Sequence, residues 1–306
     1  MKRRNILAYA LSLTALTAVS TAATAMPRQD VIVVEPLFEY PVAPDDIEGL
    51  TPKSEWLLEH FWDAFDLKKD RQTVDQNALN DAFSVYVAPM RFADADKTDA
   101  SVTRLIQSIS KNPALTLQFA KAAEEALYGP RAEFWNDDIF LRFVDNMLAC
   151  KGVRKERKAR YERLRTLLGN TRRGSVPPEF DYTTPEGKIS HYSPNGVITV
   201  IEFGDPDCDD CRHAKLKMDT DIRFSSLVDR GKVNVLFINV DPAEGWQSKL
   251  SGYPAKWYVG ASDEVGDLYD LRETPSIYVI DREGRVAAKN VDVNTAMQIA
   301  SAAAEQ

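Results

Sequence analysis

The chain has 306 residues, of which 44% are hydrophobic and 27% charged, and its formal net charge is −8. That composition excludes a disordered chain and leaves room for two ordinary domains. The acidic balance speaks against nucleic-acid binding, and three cysteines are too few for a disulfide-stapled scaffold.

At the N-terminus, Lys2, Arg3 and Arg4 precede an apolar stretch from Ile6 to Val19, and Ala23-Thr24-Ala25 supplies a small-x-small cleavage site. Residues 1–25 therefore read as a secretory signal peptide cleaved after Ala25, which predicts a periplasmic or secreted protein. Its removal takes three positive charges and moves the formal charge from −8 to −11. An uncleaved membrane anchor is the competing reading, weakened by the threonines and small residues that dilute the stretch. No later segment approaches the roughly 18 apolar residues of a membrane span, so no transmembrane span is expected in the mature chain.

Residues 26–50 hold Pro27, Pro36, Pro41 and Pro44 and read as an extended lead-in. Residues 51–170 read as an all-α domain of about six helices. Trp56, Leu57, His60, Phe61 and Phe65 recur at helical spacing, as do Leu115, Phe119, Ala122 and Ala126. Asn136 is placed to cap a helix that begins Asp137-Asp138-Ile139. Cys150 at the end of that helix reads as a small buried apolar residue, and the isolated His60 and His191 read as structural. From Lys151 to Arg173 the chain turns basic, with ten Lys/Arg against Glu156 and Glu162. That stretch is either a solvated helix face or a docking surface for an acidic partner or the other domain.

Residues 171–184 read as a linker and 185–306 as an α/β domain. Strands are expected at Ile189–Tyr192, Val197–Phe203 and Lys232–Val240. A hairpin of Pro275–Ile280 and Arg285–Ala288 should turn at residues 281–284, and a closing helix covers about Val293 to Ala304. Strands alternating with helices predict a mixed central sheet flanked by helices.

The most informative motif is Cys208-Asp209-Asp210-Cys211, at the end of the buried strand 197–203 and the start of a helix. A helix N-terminus stabilises a thiolate through its free N–H groups and partial positive charge, so the layout suits dithiol redox chemistry. A second reading of the same segment is metal binding through Cys208, Cys211, His213 and neighbouring carboxylates, although no second Cys/His cluster completes a structural zinc site.

The order of strand, Cys-x-x-Cys helix, strand, helix, Thr274-Pro275 strand, hairpin and final helix resembles the thioredoxin superfamily across about residues 175–306. Val176-Pro177-Pro178-Glu179-Phe180 and the turn at Gly187-Lys188 resemble its exported reductase branch. Phe203-Gly204-Asp205-Pro206-Asp207-Cys208 and Tyr269-Asp270-Leu271 resemble secreted thioredoxin-like proteins of gut-type bacteria that carry an N-terminal helical domain of unknown function. Asp207 and Asp209-Asp210 depart from the Trp before the pair and the Gly-Pro within it of thioredoxin proper, so neither redox potential nor partner set carries over.

The resemblance implies an exported thiol–disulfide oxidoreductase acting on protein thiols or disulfides, with an unidentified electron donor and no cofactor beyond its own dithiol. Cys208, at the helix start, would be the nucleophile and Cys211, one turn in, the resolving thiol. Pro275 would be cis and leave the Thr274 backbone free to pair with an extended substrate segment. Glu202 interrupts an apolar run in a central strand. It lies where thioredoxins carry a buried carboxylate that exchanges a proton with the resolving thiol; an edge-facing or ion-paired Glu is the bland alternative. Asp207 and Asp210 are placed to cap the helix, and Asp207 also borders the substrate side of Cys208. Negative charge beside Cys208 disfavours its thiolate and hence the reduced form, which predicts a reductant; Arg212 and His213 oppose this. A thioredoxin-fold binding protein without turnover and a peroxidase are further alternatives.

Overall fold

Short polar side chains start most of the helices. In this computed structural model, which describes residues 35–67 and 73–305, Asp75 accepts the Ala78 amide at 2.9 Å and opens α2 (Gln76–Val87) after α1 (Leu50–His60). Asp94 opens α3 (Ala95–Ile109), Asn112 opens α4 (Pro113–Leu127), and Asn136 accepts the Ile139 amide at 3.0 Å at the start of α5 (Asp137–Ala149). Each such cap contributes about 1 kcal/mol by satisfying a free helix N–H. The basic stretch forms α6 (Lys155–Asn170). The leader read at residues 1–25 lies outside the described residues.

These helices enclose an aromatic core. Trp62 lies 5.1 Å from Phe119 and Phe83 lies 5.2 Å from Phe143, ring centre to ring centre. The lead-in joins it: Phe38 packs edge-on to Phe61 at 5.6 Å and Tyr40 stacks on the same ring. The buried apolar side chains of the first segment are Leu58, Phe61, Trp62 and Phe65, whereas Trp56 and His60 are half-buried and pack on each other. The face read from Trp56 to Phe65 is thus only partly the core face, because α1 ends at His60 and the chain continues in turns.

The basic stretch is neither wholly solvated nor a free docking face. Arg160 pairs with Glu124, Arg165 with Asp145 and Arg172 with Asp138, all within the helical region, while Arg163 reaches Asp267 beyond it.

The stretch 171–184, read as a linker, carries the first strand, β1 (Phe180–Thr183), which pairs antiparallel with β2 (Ile189–Tyr192). Its short Phe-Asp-Tyr-Thr alternation lies just after two prolines, which hid it in the sequence. Next come β3 (Ile198–Gly204), α7 (Asp209–Thr220), α8 (Ile222–Asp229) and β4 (Val233–Asn239). After the one-turn helix α9 (Trp246–Lys249) the chain adds β5 (Tyr258–Ala261), α10 (Val265–Leu268), β6 (Ser276–Ile280), β7 (Val286–Lys289) and α11 (Val293–Ala304). The seven strands form one mixed sheet in the order β2-β1-β5-β4-β3-β6-β7, with β3 parallel to β4 and antiparallel to β6.

The period-2 alternation of β3 sorts its side chains onto two cores. Ile198 and Val200 face α7, α8 and α11, among Ala214, Met218, Phe224 and Ala296. Ile201 and Phe203 face the other side, among Phe180, Tyr269 and Tyr278. Glu202 and Gly204 share the parity of Val200 and so lie on the α7 side. Among the described residues, no helix is long and apolar enough to cross a membrane. The described residues from Pro36 onward belong to one compact unit.

Candidate functional site

Strand β3 ends at Gly204, and a short turn delivers the chain to α7. The residue that caps this helix is Cys208 itself: its sulfur accepts the Cys211 amide at 3.3 Å. The sequence reading gave that place to Asp207. Asp207 instead pairs with Lys249, and its carbonyl accepts from Arg212 at 2.9 Å. Asp209 is taken by Arg212. Asp210, on the first turn, is exposed.

The two sulfurs occupy different surroundings. Cys208 is half-buried, and its thiol reaches the main-chain carbonyl of Thr274 at 3.6 Å. Cys211 is fully buried. Burial first, then the hydrogen bond to Cys208 and the charge of Glu202, push the Cys211 thiol above the ordinary range. Its sulfur lies against the backbone at Gly204, where an added Cβ would meet it at 2.9 Å and the Phe237 ring at 3.2 Å. Sequence reasoning did not single out Gly204; its position two residues after Glu202, on the same face of the strand, is the signal that points to it.

Glu202 is buried within β3 and neither carboxyl oxygen has a hydrogen-bond partner. Burial alone pushes it up to about 8. The edge-facing and ion-paired alternatives for this residue do not hold. Tyr253, which sequence reasoning also missed, lies tilted against Phe237 with ring centres 4.6 Å apart, and burial first, then the charge of Glu202, raises its hydroxyl above the ordinary range.

Thr274 and Pro275 are joined by a cis peptide bond, and Thr274 is exposed beside Cys208. The loop before them carries a buried ionic cluster. Arg272 pairs with Asp270 at 2.7 Å and with Asp137 at the start of α5. Its guanidinium lies 4.3 Å from the ring centre of Tyr128 and 5.2 Å from that of Trp135. Tyr128 donates to Asp270 at 3.0 Å, and Lys289 reaches both Asp137 and Asp270. The helical region is thereby tied to the segment two residues ahead of Thr274. None of this was legible locally, because the partners come from positions 128–137, 270–272 and 289.

The remaining candidates lie apart. His60 pairs with Asp63, and His191 with Asp181 and Glu179, both on the surface; the two carboxylates raise His191. Cys150 is half-buried at the end of α5. Among the described residues, no group of three or more His, Cys, Asp or Glu is gathered as a metal site, so Cys208, Cys211 and His213 do not converge.

A thioredoxin-like protein from Bacteroides caccae matches with a TM-score of 0.72 at 19% identity, covering 87% of this chain and 99% of that one. A conserved protein of unknown function from Bacteroides fragilis matches at 30% identity over 42% of this chain and 97% of its own, with a TM-score of 0.39. The thioredoxin domain of a thiol-disulfide oxidoreductase from Bacteroides vulgatus matches at 20% identity over 42% and 94%, with a TM-score of 0.36. No curated protein matches the sequence. The B. caccae likeness fixes the fold as a helical N-terminal region followed by a thioredoxin-like sheet. The family described as Domain of unknown function (DUF5106) matches residues 13–170, just over half of the chain, and the chain belongs to that family, with the thioredoxin-like fold following its helical region.

Proposed function

We propose that the protein is an exported thiol–disulfide oxidoreductase that works through Cys208 and Cys211. The observation that carries this reading is the pairing of a half-buried sulfur at the helix start with a fully buried one inside it, beside the exposed Thr274 whose carbonyl the Cys208 thiol reaches.

Cys208, whose sulfur accepts the Cys211 amide at the helix start, attacks a partner disulfide as the nucleophile. One partner sulfur leaves as thiolate with the electron pair of the broken bond, and a Cys208–partner mixed disulfide forms. Cys211 then attacks the Cys208 sulfur, the partner's second sulfur leaves reduced, and the Cys208–Cys211 disulfide closes. Because burial holds the Cys211 proton tightly, its release needs a base. Glu202, poised near 8 on the same side of the sheet, accepts it in its ionised form. Pro275 bounds the site beside the sulfurs, Thr274 offers main-chain groups to the substrate, and Asp207 forms the exposed rim.

The direction of electron flow follows from local charge. Asp207 and Asp209 are offset by Lys249 and Arg212, and Asp210 has no ion-pair partner among the described residues. The surplus is negative beside Cys208, which favours the disulfide over the dithiol and makes the protein a reductant. A cleaved leader at residues 1–25 places this chemistry outside the cytoplasm, with protein thiols as partners and a separate donor to regenerate the dithiol.

The test is the redox equilibrium of the protein against glutathione, with Cys208→Ser as control. A reversible two-electron couple at or below about −200 mV is expected. A couple near about −120 mV, typical of a strong oxidant, would reverse the direction assigned here, and unreactive thiols would remove the enzymatic reading altogether.

A further inference from the structure

Beside the cysteines lies a cleft of about 270 Å³ whose walls come from both parts of the chain. The sheet domain supplies Asp210 and His213 of α7, the Glu273–Pro275 segment and the start of α11; the helical region supplies Trp135. Trp135 is held in place by its indole N–H, which donates to the Gly129 carbonyl at 3.1 Å, and by the Arg272 guanidinium against its ring.

The polar lining is short of donors. Asp210 and Glu273 have no ion-pair partner among the described residues. Asp292 is occupied, since it caps α11 through the Asn294 and Thr295 amides. His213 is the one basic side chain in the lining, which holds no Lys or Arg. An aromatic wall and two unneutralised carboxylates together suit a long cationic side chain, whose stem packs on the ring while its head takes the carboxylates.

We propose that this cleft is a subsite for a Lys or Arg side chain of the extended peptide segment whose cysteine exchanges with Cys208, so that the helical region shares directly in choosing the substrate. The assignment rests on the dithiol reading above. The Thr274 main chain, adjoining both the cleft and the Cys208 sulfur, sets the geometry: a peptide laid along it has its cysteine at Cys208 and a neighbouring side chain at the cleft.

The experiment uses the reduced protein and two short peptides that differ only in Lys or Glu near a single cysteine, which carries a thionitrobenzoate as mixed disulfide. Attack by Cys208 on the peptide sulfur breaks that bond and releases thionitrobenzoate, whose colour reports the rate. The uncharged disulfide of 2-mercaptoethanol serves as a reference probe. The Lys peptide is expected to react about tenfold faster than the Glu peptide. The ratio should fall to about twofold in Asp210→Asn/Glu273→Gln and should also fall in Trp135→Leu. The latter change alters no charge and so separates the cleft from the overall acidity of the chain. Each ratio is internal to its variant and is unaffected by a general change in rate. Equal rates for the two peptides, or a preference unchanged in both variants, would overturn the subsite while the reference probe still reacts. Failure of the reference probe would instead remove the dithiol reading, and this assignment with it.

Discussion

The guanidinium of Arg272 lies 4.3 Å from the ring centre of Tyr128, so a buried cation fastens the loop ahead of Thr274 to the helical region. The side chains of Arg272 and Asp270 are only 4% and 1% exposed, and Asp137 completes the pair at the start of α5. Removing one partner of such a cluster leaves the others charged, buried and undercompensated. Arg272→Met is therefore expected to destabilise the protein by about 3 kcal/mol or more. Arg163→Met, which breaks the exposed pair with Asp267, should change stability by less than about 1 kcal/mol. Urea denaturation of both variants makes the comparison; equal effects would mean that the buried cluster does not hold the two regions together.

The Asp207–Lys249 pair is exposed and contributes little to stability, but it sits at the mouth of the site. In Asp207→Asn, loss of a negative charge beside Cys208 favours the thiolate and hence the dithiol. The couple should become less reducing by roughly 10 mV, the equivalent of a few tenths of a kcal/mol. Lys249→Met should shift it the opposite way by a similar amount. Equilibration of each variant against glutathione reads both shifts, and shifts of the same sign would rule out this electrostatic account.

Gly204 tests the packing of the buried thiol. The Cβ of Gly204→Ala would meet the Cys211 sulfur at 2.9 Å and the Phe237 ring at 3.2 Å. The sulfur is fully enclosed and the ring belongs to a central strand, so neither yields freely. A loss of about 1–3 kcal/mol is expected from overpacking, together with slower closure of the Cys208–Cys211 disulfide. Gly266→Ala, where a Cβ meets nothing within 4 Å, is the control in the same denaturation series.

What was legible in the sequence was local. Asn136 as a cap, the β6–β7 hairpin and the helix Val293–Ala304 each carry their signal within a few residues, and each stands where that signal put it. The strand β1 was lost in a supposed linker, and β5 was not read at all. Each is only four residues long and takes its place from the sheet more than from its own pattern. At the site, the Cys-x-x-Cys spacing located both sulfurs, but the cap went to Asp207 because cap statistics favour carboxylates over thiols. Trp135 and Arg272 were invisible for a different reason: their meaning comes from partners far away in the chain.

Glu202 provides a test in which stability and chemistry move in opposite directions. Its carboxyl ionises near 4.5 when unfolded and is pushed up to about 8 in the folded protein by burial without a partner. Between those values the folded state keeps a proton that the unfolded state has released, so stability falls as pH rises from 4.5 to 8 and levels off above. The penalty is on the order of 3–5 kcal/mol at pH 8 and above. Glu202→Leu removes the ionisable group, so it should flatten this slope and leave the variant more stable than the parent at pH 9. Urea titrations across pH 5–9 measure both effects. The same site should lose chemistry: in Glu202→Gln the Cys211 proton has no acceptor, and resolution of a Cys208 mixed disulfide should slow at least roughly tenfold. The parent rate should rise through an inflection near 8 that the Gln variant lacks. A Gln variant with the parent's rate and profile would leave Glu202 as a buried charge with no part in proton transfer.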